Sequence, residues 1–255
     1  MTMQVLELLA PARDVECGKA AIDHGADAVY IGAERFGARA AAGNSLSDIA
    51  ELCSYAHGCR AKVYVTVNTI IYDNELEATR RLLHNIADIG VDAILVQDMA
   101  LLDMLGSLPV ECHASTQTDN RTAEKVKWLK SLGFSRVVLA RELSIDEIRE
   151  IHESVPDVEL EVFVHGALCV SYSGLCYASQ YCFGRSANRG ECAQFCRLSF
   201  DMVDSDGTVM EKSRHLLSLK DMKQIDNIEA LAEAGATSFK IEGRLKDMVY
   251  VKNVT

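Results

Sequence analysis

Five cysteines crowd into one short segment of the chain. From Cys169 to Cys196 the spacing is C-x6-C-x15-C-x3-C, and Cys182 is an additional thiol within it. Four thiolates delivered by one loop are the ligands of a zinc site or an iron–sulfur cluster. The remaining cysteines are scattered through the first two thirds of the sequence: Cys17, Cys53, Cys59 and Cys112.

Spacing alone does not decide which metal this segment would bind. Structural zinc sites usually contain close pairs with about two to four intervening residues, and here only Cys192 and Cys196 form such a pair. A cubane cluster is a larger object, so its ligands tolerate irregular spacing. Nearby glycines would let the backbone bend around it: Gly166, Gly174, Gly184 and Gly190. Zinc, a cluster and buried free thiols remain alternatives.

The elements that must position these cysteines follow a regular pattern. The first 166 residues alternate short apolar runs with amphipathic segments, which is typical of parallel strands joined by helices. One more strand is predicted late in the chain. The eight predicted strands are Val5–Leu9, Ala28–Gly32, Val63–Asn68, Ala93–Gln97, Glu111–Ser115, Arg136–Ala140, Glu161–His165 and Ser238–Glu242.

Eight such repeats favour an α/β fold, a (β/α)8 TIM-barrel-like domain over residues 1–255. A doubly wound sheet is the alternative, but the first turn, Ala10–Arg13, lacks the glycines of a dinucleotide-binding turn. The pattern breaks after strand seven, where the long cysteine-rich segment 166–197 replaces a helix. Phe200–Val209 then resembles a hairpin with Asp206–Gly207 at its turn.

The composition is that of an ordinary globular protein, with 49% hydrophobic and 25% charged residues. We find neither a signal peptide nor an apolar run long enough for a membrane span, and we therefore expect a cytoplasmic protein with mostly reduced thiols. The sequence ends 13 residues after Glu242, which barely leaves room for a closing helix, so we expect a longer natural chain.

The net charge of −11 argues against nucleic-acid binding over the whole surface. The acidic excess is confined, however, to residues 1–168, which hold 15 basic and 26 acidic side chains. Residues 169–255 hold 11 of each. A local basic face that binds phosphate therefore remains compatible with the acidic total.

Polar residues cluster at the predicted carboxyl ends of the strands, where barrel enzymes place their active sites. The candidate catalytic residues among them are His113, Arg141, His165, Glu242 and Arg244. Arg141 and Arg244 are suited to bind carboxylates through paired hydrogen bonds. For each of the five, a satisfied structural contact is the alternative, and for both histidines that alternative is a buried imidazole with a partner.

The cysteine-rich segment carries further candidates. Arg185, Asn188 and Arg189 lie between the second and third of the spaced cysteines, where they would contact a phosphate, RNA or the carboxylates of a cofactor. A solvated arginine pair is the alternative. Tyr172 and Tyr177 would either stack on a base or shield a metal site from water.

Several stretches closely resemble the signature of the U32 peptidase family. They are Ala26–Gly32 (ADAVYIG), Glu161–Cys169 (EVFVHGALC), Ser173–Cys176 (SGLC), Arg185–Gly190 (RSANRG) and Lys240–Arg244 (KIEGR). The family is named for a collagenase-like protease. Other members are oxygen-independent hydroxylases that carry a [4Fe–4S] cluster on four cysteines and act on a tRNA wobble uridine, a large-subunit rRNA cytidine or ubiquinone precursors.

The resemblance implies that Cys169, Cys176, Cys192 and Cys196 bind the cluster and that Cys182 does not. It implies prephenate as the hydroxyl donor, because the RNA-modifying members depend on it. Since no cysteine follows Cys196, the RNA-modifying branch is favoured over the quinone branch. RNA and a small anionic donor are thus the expected partners.

Three hypotheses follow from the sequence. The first is a cluster-dependent RNA nucleobase hydroxylase. The second is a collagenase-like peptidase with Cys169 as nucleophile and His165 as base, although no H-E-x-x-H or G-x-S-x-G motif is present. The third is a non-catalytic partner of an RNA-modifying enzyme in which the cysteines form a structural zinc site.

Overall fold

The computed structural model describes residues 5–38 and 43–255. Within this part of the chain the strands are β1 (Glu7–Ala12), β2 (Ala28–Ala33), β3 (Gly43–Asn44), β4 (Lys62–Val67), β5 (Ala93–Val96), β6 (Glu111–Ala114), β7 (Arg136–Val138), β8 (Glu159–Gly166), β9 (Phe200–Val203), β10 (Val209–Arg214), β11 (Met222–Lys223) and β12 (Ala236–Ile241). Eight of them form a closed parallel barrel in the order β1-β12-β8-β7-β6-β5-β4-β2, and the pairing of β1 with β2 closes it. The predicted (β/α)8 TIM-barrel-like fold is confirmed.

The predicted strands all exist, but their ends differ by a few residues. The largest difference is at the first strand, predicted as Val5–Leu9 and observed as β1, Glu7–Ala12. Pro11 has no amide N–H to donate, which made a strand end before it the natural prediction. The strand nevertheless continues because its pairing with β2 extends to Ala12.

The helices of the described chain are α1 (Val15–Asp23), α2 (Leu46–Gly58), α3 (Leu76–Ile89), α4 (Ala100–Leu105), α5 (Ala123–Ser131), α6 (Ile145–Ser154), α7 (Ala178–Phe183), α8 (Ile228–Glu233) and α9 (Met248–Val254). Ser45 and Ser144 begin α2 and α6 with reciprocal capping boxes. Gly90 ends α3 in the left-handed conformation, as its position predicted. The apolar faces of the helices pack on the outward side chains of the strands and form the larger core. No helix in residues 5–38 and 43–255 is both long and apolar enough to span a membrane.

Successive side chains of a strand point to opposite faces, so the inward-facing ones fill the barrel interior and form a second, smaller core. Its apolar members include Leu9, Tyr30, Tyr64, Leu95 and Phe163. Charged side chains share this interior and form a buried network, in which Arg136 binds both Glu7 and Glu161 and Lys240 binds Glu161. The interior is therefore held by ion pairs as well as by apolar contacts.

A long segment separates the seventh and eighth barrel strands, β8 and β12. Its residues 167–227, about sixty in number, precede helix α8 and are called the insertion below. The sequence predicted no helix in its cysteine-rich part, and this is wrong for the short helix α7. The predicted hairpin is confirmed as β9 and β10, with Gly207 at a positive φ of 89° in the turn. The segment then returns to the barrel through β11, which pairs antiparallel with β8.

Candidate active site at the carboxyl end of the barrel

A cavity of about 380 Å³ lies between the carboxyl ends of the barrel strands and the insertion. The barrel contributes polar side chains that lie within the strands near their carboxyl ends, Thr66 and Lys240, or that follow the strands: Asn68, Ser115, Thr116, Arg141, Glu242 and Arg244. The insertion contributes residues of 169–179 and 187–196. This is the position at which barrel enzymes bind their substrates.

All four cysteines of the C-x6-C-x15-C-x3-C pattern line this cavity: Cys169, Cys176, Cys192 and Cys196. Each is a free thiol. The fifth cysteine of the segment, Cys182, is exposed on α7 and is not among the lining residues. Burial raises the pKa of the Cys196 thiol, and the positive charge of Arg197 opposes this.

The four thiols line one cavity, but they do not converge on the position of a single metal ion. Among residues 5–38 and 43–255, no group of three or more His, Cys, Asp or Glu side chains is arranged to hold one metal ion. A single zinc ion needs four ligands at about 2.0–2.3 Å from one centre. Four thiols that line one cavity are a donor set of the kind that binds soft metal ions or an iron–sulfur cluster.

Gly174 fixes the insertion against the barrel mouth. Its φ is +78°, and an added Cβ atom would lie 2.1 Å from the carbonyl oxygen of Gln117, in the loop after β6. No side chain other than hydrogen fits this approach. Ser173, its buried neighbour, accepts weak hydrogen bonds from Thr116 Oγ1 and Arg141 Nη1, each at 3.4 Å.

Arg141 lies at the mouth of the barrel and contacts Ser173, Glu242 and Phe163. Its Nη2 donates to Glu242 Oε2 at 2.8 Å, and its guanidinium lies 3.9 Å from the centre of the Phe163 ring. Its Nε is buried without a hydrogen-bond partner among the described residues. The structure therefore brings Arg141 and Glu242, both predicted site residues, into direct contact in the cavity wall.

Arg244, the third predicted residue in the cavity wall, lies across the barrel. It is 6% exposed, and its Nη1 donates to Thr66 Oγ1 at 2.5 Å. Asn68, at the end of the same strand as Thr66, donates from Nδ2 to Ser115 Oγ at 2.9 Å. These bonds fix the polar rim before any ligand is bound.

Lys240 is a cavity residue that the sequence analysis missed. Its Nζ donates to Glu161 Oε1 at 2.7 Å and lies 4.3 Å from the centre of the Tyr30 ring. Burial lowers the pKa of the ammonium group, and the negative charge of Glu161 opposes this. The signal was available, because Lys240 has the same strand parity as Glu242. Sequence reasoning sought polar residues only at strand ends, whereas this one lies inside the strand.

The two predicted histidines lie outside the cavity lining. His113 is 1% exposed inside the barrel, one inward position below Ser115, and its ring packs edge-on against Tyr64 at 5.0 Å. Burial lowers its pKa. His165 is at the end of β8, where its Nδ1 and the Tyr250 hydroxyl of α9 are 2.9 Å apart. The structure thus gives each imidazole a neighbour within the fold.

The three residues predicted to bind a cofactor occupy different environments. Asn188 is buried and lines the cavity. Arg185 is exposed and is not among the lining residues. Arg189 makes a two-pronged ion pair with Glu75 at 2.7 and 2.9 Å and donates to the carbonyl oxygen of Ile70 at 2.7 Å. The structure therefore makes Arg189 a brace between the insertion and the loop after β4.

Comparison with known proteins gives relatives across nearly the whole chain. It is 56% identical to a 23S rRNA 5-hydroxycytidine synthase of Escherichia coli, over 98% of this chain and 38% of that protein. It is 41% identical to an uncharacterised protease of Methanocaldococcus jannaschii, over 99% of this chain and 64% of that protein. It is 40% identical to a tRNA hydroxylation protein of Bacillus subtilis, over 97% and 61%. The chain thus spans less than two thirds of these relatives.

The fold has a counterpart among solved structures. A U32 peptidase superposes with a TM-score of 0.60 at 14% identity, over 94% of both chains. The sequence profile of peptidase family U32 matches residues 13–255. On this match and these identities, the chain belongs to peptidase family U32.

Proposed function

We propose that this chain is the catalytic barrel of an oxygen-independent RNA nucleobase hydroxylase that uses a [4Fe–4S] cluster. The observation that carries the proposal is the meeting of four thiols with Arg141, Glu242 and Arg244 around one cavity. The names of the Escherichia coli and Bacillus subtilis relatives support RNA, rRNA or tRNA, as the substrate. An RNA substrate also supports the cytoplasm as the location.

The proposed ligands of the cluster are Cys169, Cys176, Cys192 and Cys196. When bound, such a cluster supplies single-electron transfer. The chain's own contribution is to hold the four thiols on one loop, which Gly174 and Arg189 fix to the barrel mouth. Asn188, which lines the same cavity, is placed to bind a ligand beside the thiols.

The proposed reaction also requires an oxygen donor. Replacing a pyrimidine C–H by C–OH removes an electron pair from the base, so without dioxygen a second compound must accept that pair. In the proposed reaction this compound also delivers the oxygen atom and is reduced as it does so. Among the described residues, three basic side chains line the cavity, Arg141, Lys240 and Arg244, against one carboxylate, Glu242. This balance favours a small anionic donor, and the family resemblance makes prephenate, with its carboxylates, the candidate.

We assign direct contact with donor or base to Arg141, Glu242 and Arg244. His113 and His165 lie outside the cavity lining, so their catalytic roles stay predictions. Through its contact with Tyr250, which itself donates to the Glu242 carbonyl at 3.1 Å, His165 is placed to position the strand end that carries Glu242. His113 is placed to support the barrel interior below Ser115.

Nucleoside analysis tests the proposal. RNA from a strain that lacks the gene should lose one hydroxylated pyrimidine nucleoside, detected by mass spectrometry of digested tRNA and rRNA. Expression of the wild-type protein or of Cys182→Ser should restore it, and expression of Cys192→Ser should not. Unchanged nucleosides in the deletion strain would refute RNA hydroxylation.

The peptidase alternative has its support in the family name and in the uncharacterised protease of Methanocaldococcus jannaschii. It would use Cys169 as the nucleophile. His165, the base in this alternative, contacts the Tyr250 hydroxyl through its Nδ1 and is not among the residues that line the cavity with Cys169. Peptide hydrolysis that is lost in Cys169→Ala and kept after iron chelation would favour the peptidase over the hydroxylase.

A further inference from the structure

Two exposed tyrosines lie at the short helix α7, and one of them also lines the cavity. Tyr177 caps the helix and lines the cavity, and Tyr181 lies one turn further on. The amide of Tyr181 donates to the carbonyl oxygen of Tyr177 at 3.0 Å, which sets the two residues on one face of the helix. Their exposed fractions are 61% and 93%. A pair of aromatic rings thus stands in solvent beside the thiols.

Other exposed aromatic side chains in this part of the molecule have partners within the fold. The Tyr172 ring stacks under Arg121 at 4.0 Å, and the Phe183 ring packs on Phe195 at 5.9 Å. Tyr72, near the brace described above, lies 4.1 Å from the guanidinium of Arg189. Within the described chain, the Tyr177 and Tyr181 side chains make neither a ring contact nor a hydrogen bond. Their faces are free for a ligand.

We infer that Tyr177 and Tyr181 form a stacking platform for the nucleotides that flank the target base in single-stranded RNA. The inference rests on the proposed function, because it takes the cavity beside Tyr177 as the place where the target base binds. Aromatic rings bind unpaired bases face to face, and such stacking tolerates any base. The platform therefore binds the strand and leaves recognition of the target base to the cavity.

The spacing of the two residues along the helix, one turn, suits a strand whose bases are separated. One helical turn advances about 5.4 Å, whereas stacked bases of a duplex are about 3.4 Å apart. Bases that stack on successive tyrosines must therefore have left their own stack, which is the state in which a base can enter an enzyme pocket. Exposed Arg185, two residues after the helix, supplies a cation for the strand's phosphates.

Fluorescence anisotropy with a labelled single-stranded RNA of about twelve nucleotides, centred on one cytidine or uridine, tests the platform without requiring activity. We expect Tyr181→Ala and Tyr177→Ala each to weaken binding by about 5- to 100-fold, the range of one lost base–aromatic stack. Tyr181→Trp should bind as well as the wild type. Trp128→Ala, which removes another exposed aromatic residue on α5, is the matched control and should change Kd by less than about twofold.

A second probe tests whether the effect comes from stacking. With an abasic site on each side of the central pyrimidine, the wild type and Tyr181→Ala should bind equally weakly. Equal binding of intact RNA by the wild type and both alanine variants would overturn the platform and leave RNA hydroxylation standing. If the wild-type chain binds no single-stranded RNA, the proposed function fails, and the platform with it.

Discussion

The barrel and its cysteine-rich insertion are stabilised in different ways. The barrel has a continuous apolar layer between strands and helices, and its interior ion pairs join Glu7, Arg136, Glu161 and Lys240. The insertion has many exposed apolar side chains and contributes little to either core. It is fixed to the barrel at separate points, by Gly174, by Arg189 and by the pairing of β11 with β8.

The barrel and the insertion therefore contribute different groups to the candidate site. The barrel is a preformed wall that carries the cations and Glu242, while the insertion carries the thiols. A segment without its own core depends on such anchors and, in our proposal, on the bound cluster for its final shape. Changes in the barrel should therefore affect the stability of the whole fold, and changes in the insertion should affect the site first.

The largest effect is expected in the barrel interior. Arg136→Met would remove the buried cation that joins Glu7 and Glu161 and would leave Glu161 with Lys240 alone. Breaking a buried ion pair typically costs about 3–5 kcal/mol of unfolding free energy. Arg136→Lys keeps the charge and should cost less. Urea unfolding followed by circular dichroism measures both. An unchanged midpoint for Arg136→Met would show that the network does not stabilise the barrel.

A smaller effect, confined to the insertion, is expected at Gly174. Gly174→Ala would place a methyl group 2.1 Å from the Gln117 carbonyl oxygen and should detach the loop at a cost of about 1–3 kcal/mol. Gly184→Ala is the matched control. Gly184 also has a positive φ, of 64°, but its added methyl would have no neighbour within 4 Å, so only about 1 kcal/mol of backbone strain remains.

Limited proteolysis and iron content, compared with the urea midpoint, measure this separation. Gly174→Ala should be cleaved faster within residues 167–197 and should bind less iron, while the barrel midpoint changes little. Equal behaviour of the two alanine variants would contradict an anchoring role for the contact with Gln117.

The smallest effect is expected at the Arg189 brace. Arg189→Met should cost about 1 kcal/mol, because the pair with Glu75 is two-pronged but partly exposed. The hydrogen bond from Arg189 lowers the pKa of Glu75. Its contribution is thus fully present above about pH 4.3, the ordinary value for glutamate, and is lost as the pH falls through the lowered pKa. Urea midpoints of the wild type and Arg189→Met should converge in acid; a constant difference would contradict this.

Much of the barrel could be predicted from the sequence, because strand alternation and helix-ending glycines are local signals. Gly90 follows α3 and Gly133 follows α5, and both adopt the left-handed conformation with which a glycine commonly ends a helix. The helix α7 was missed because it has only six residues and no apolar stripe to mark it. Strand ends were less accurate, since the pairing of β1 with β2, distant information for a local pattern, continues through Pro11 to Ala12.

Site residues whose positions follow from their spacing along the sequence could be predicted. Roles that depend on contacts with residues distant in the sequence could not. The four cysteines and the three residues Arg141, Glu242 and Arg244 do line one cavity. Arg189 could not be recognised as a brace, because Glu75 lies 114 positions away in the chain. Likewise, His165 is paired with Tyr250, 85 residues later, and no local pattern signals such a contact.

Iron and sulfide analysis of the chain purified without oxygen tests the central claim most directly. We predict a brown protein with about four irons and four sulfides per chain. Substitution of Cys169, Cys176, Cys192 or Cys196 by serine should remove most of the iron, and Cys182→Ser should retain it. One zinc and no iron, or an iron-free chain that still hydroxylates RNA, would contradict the account.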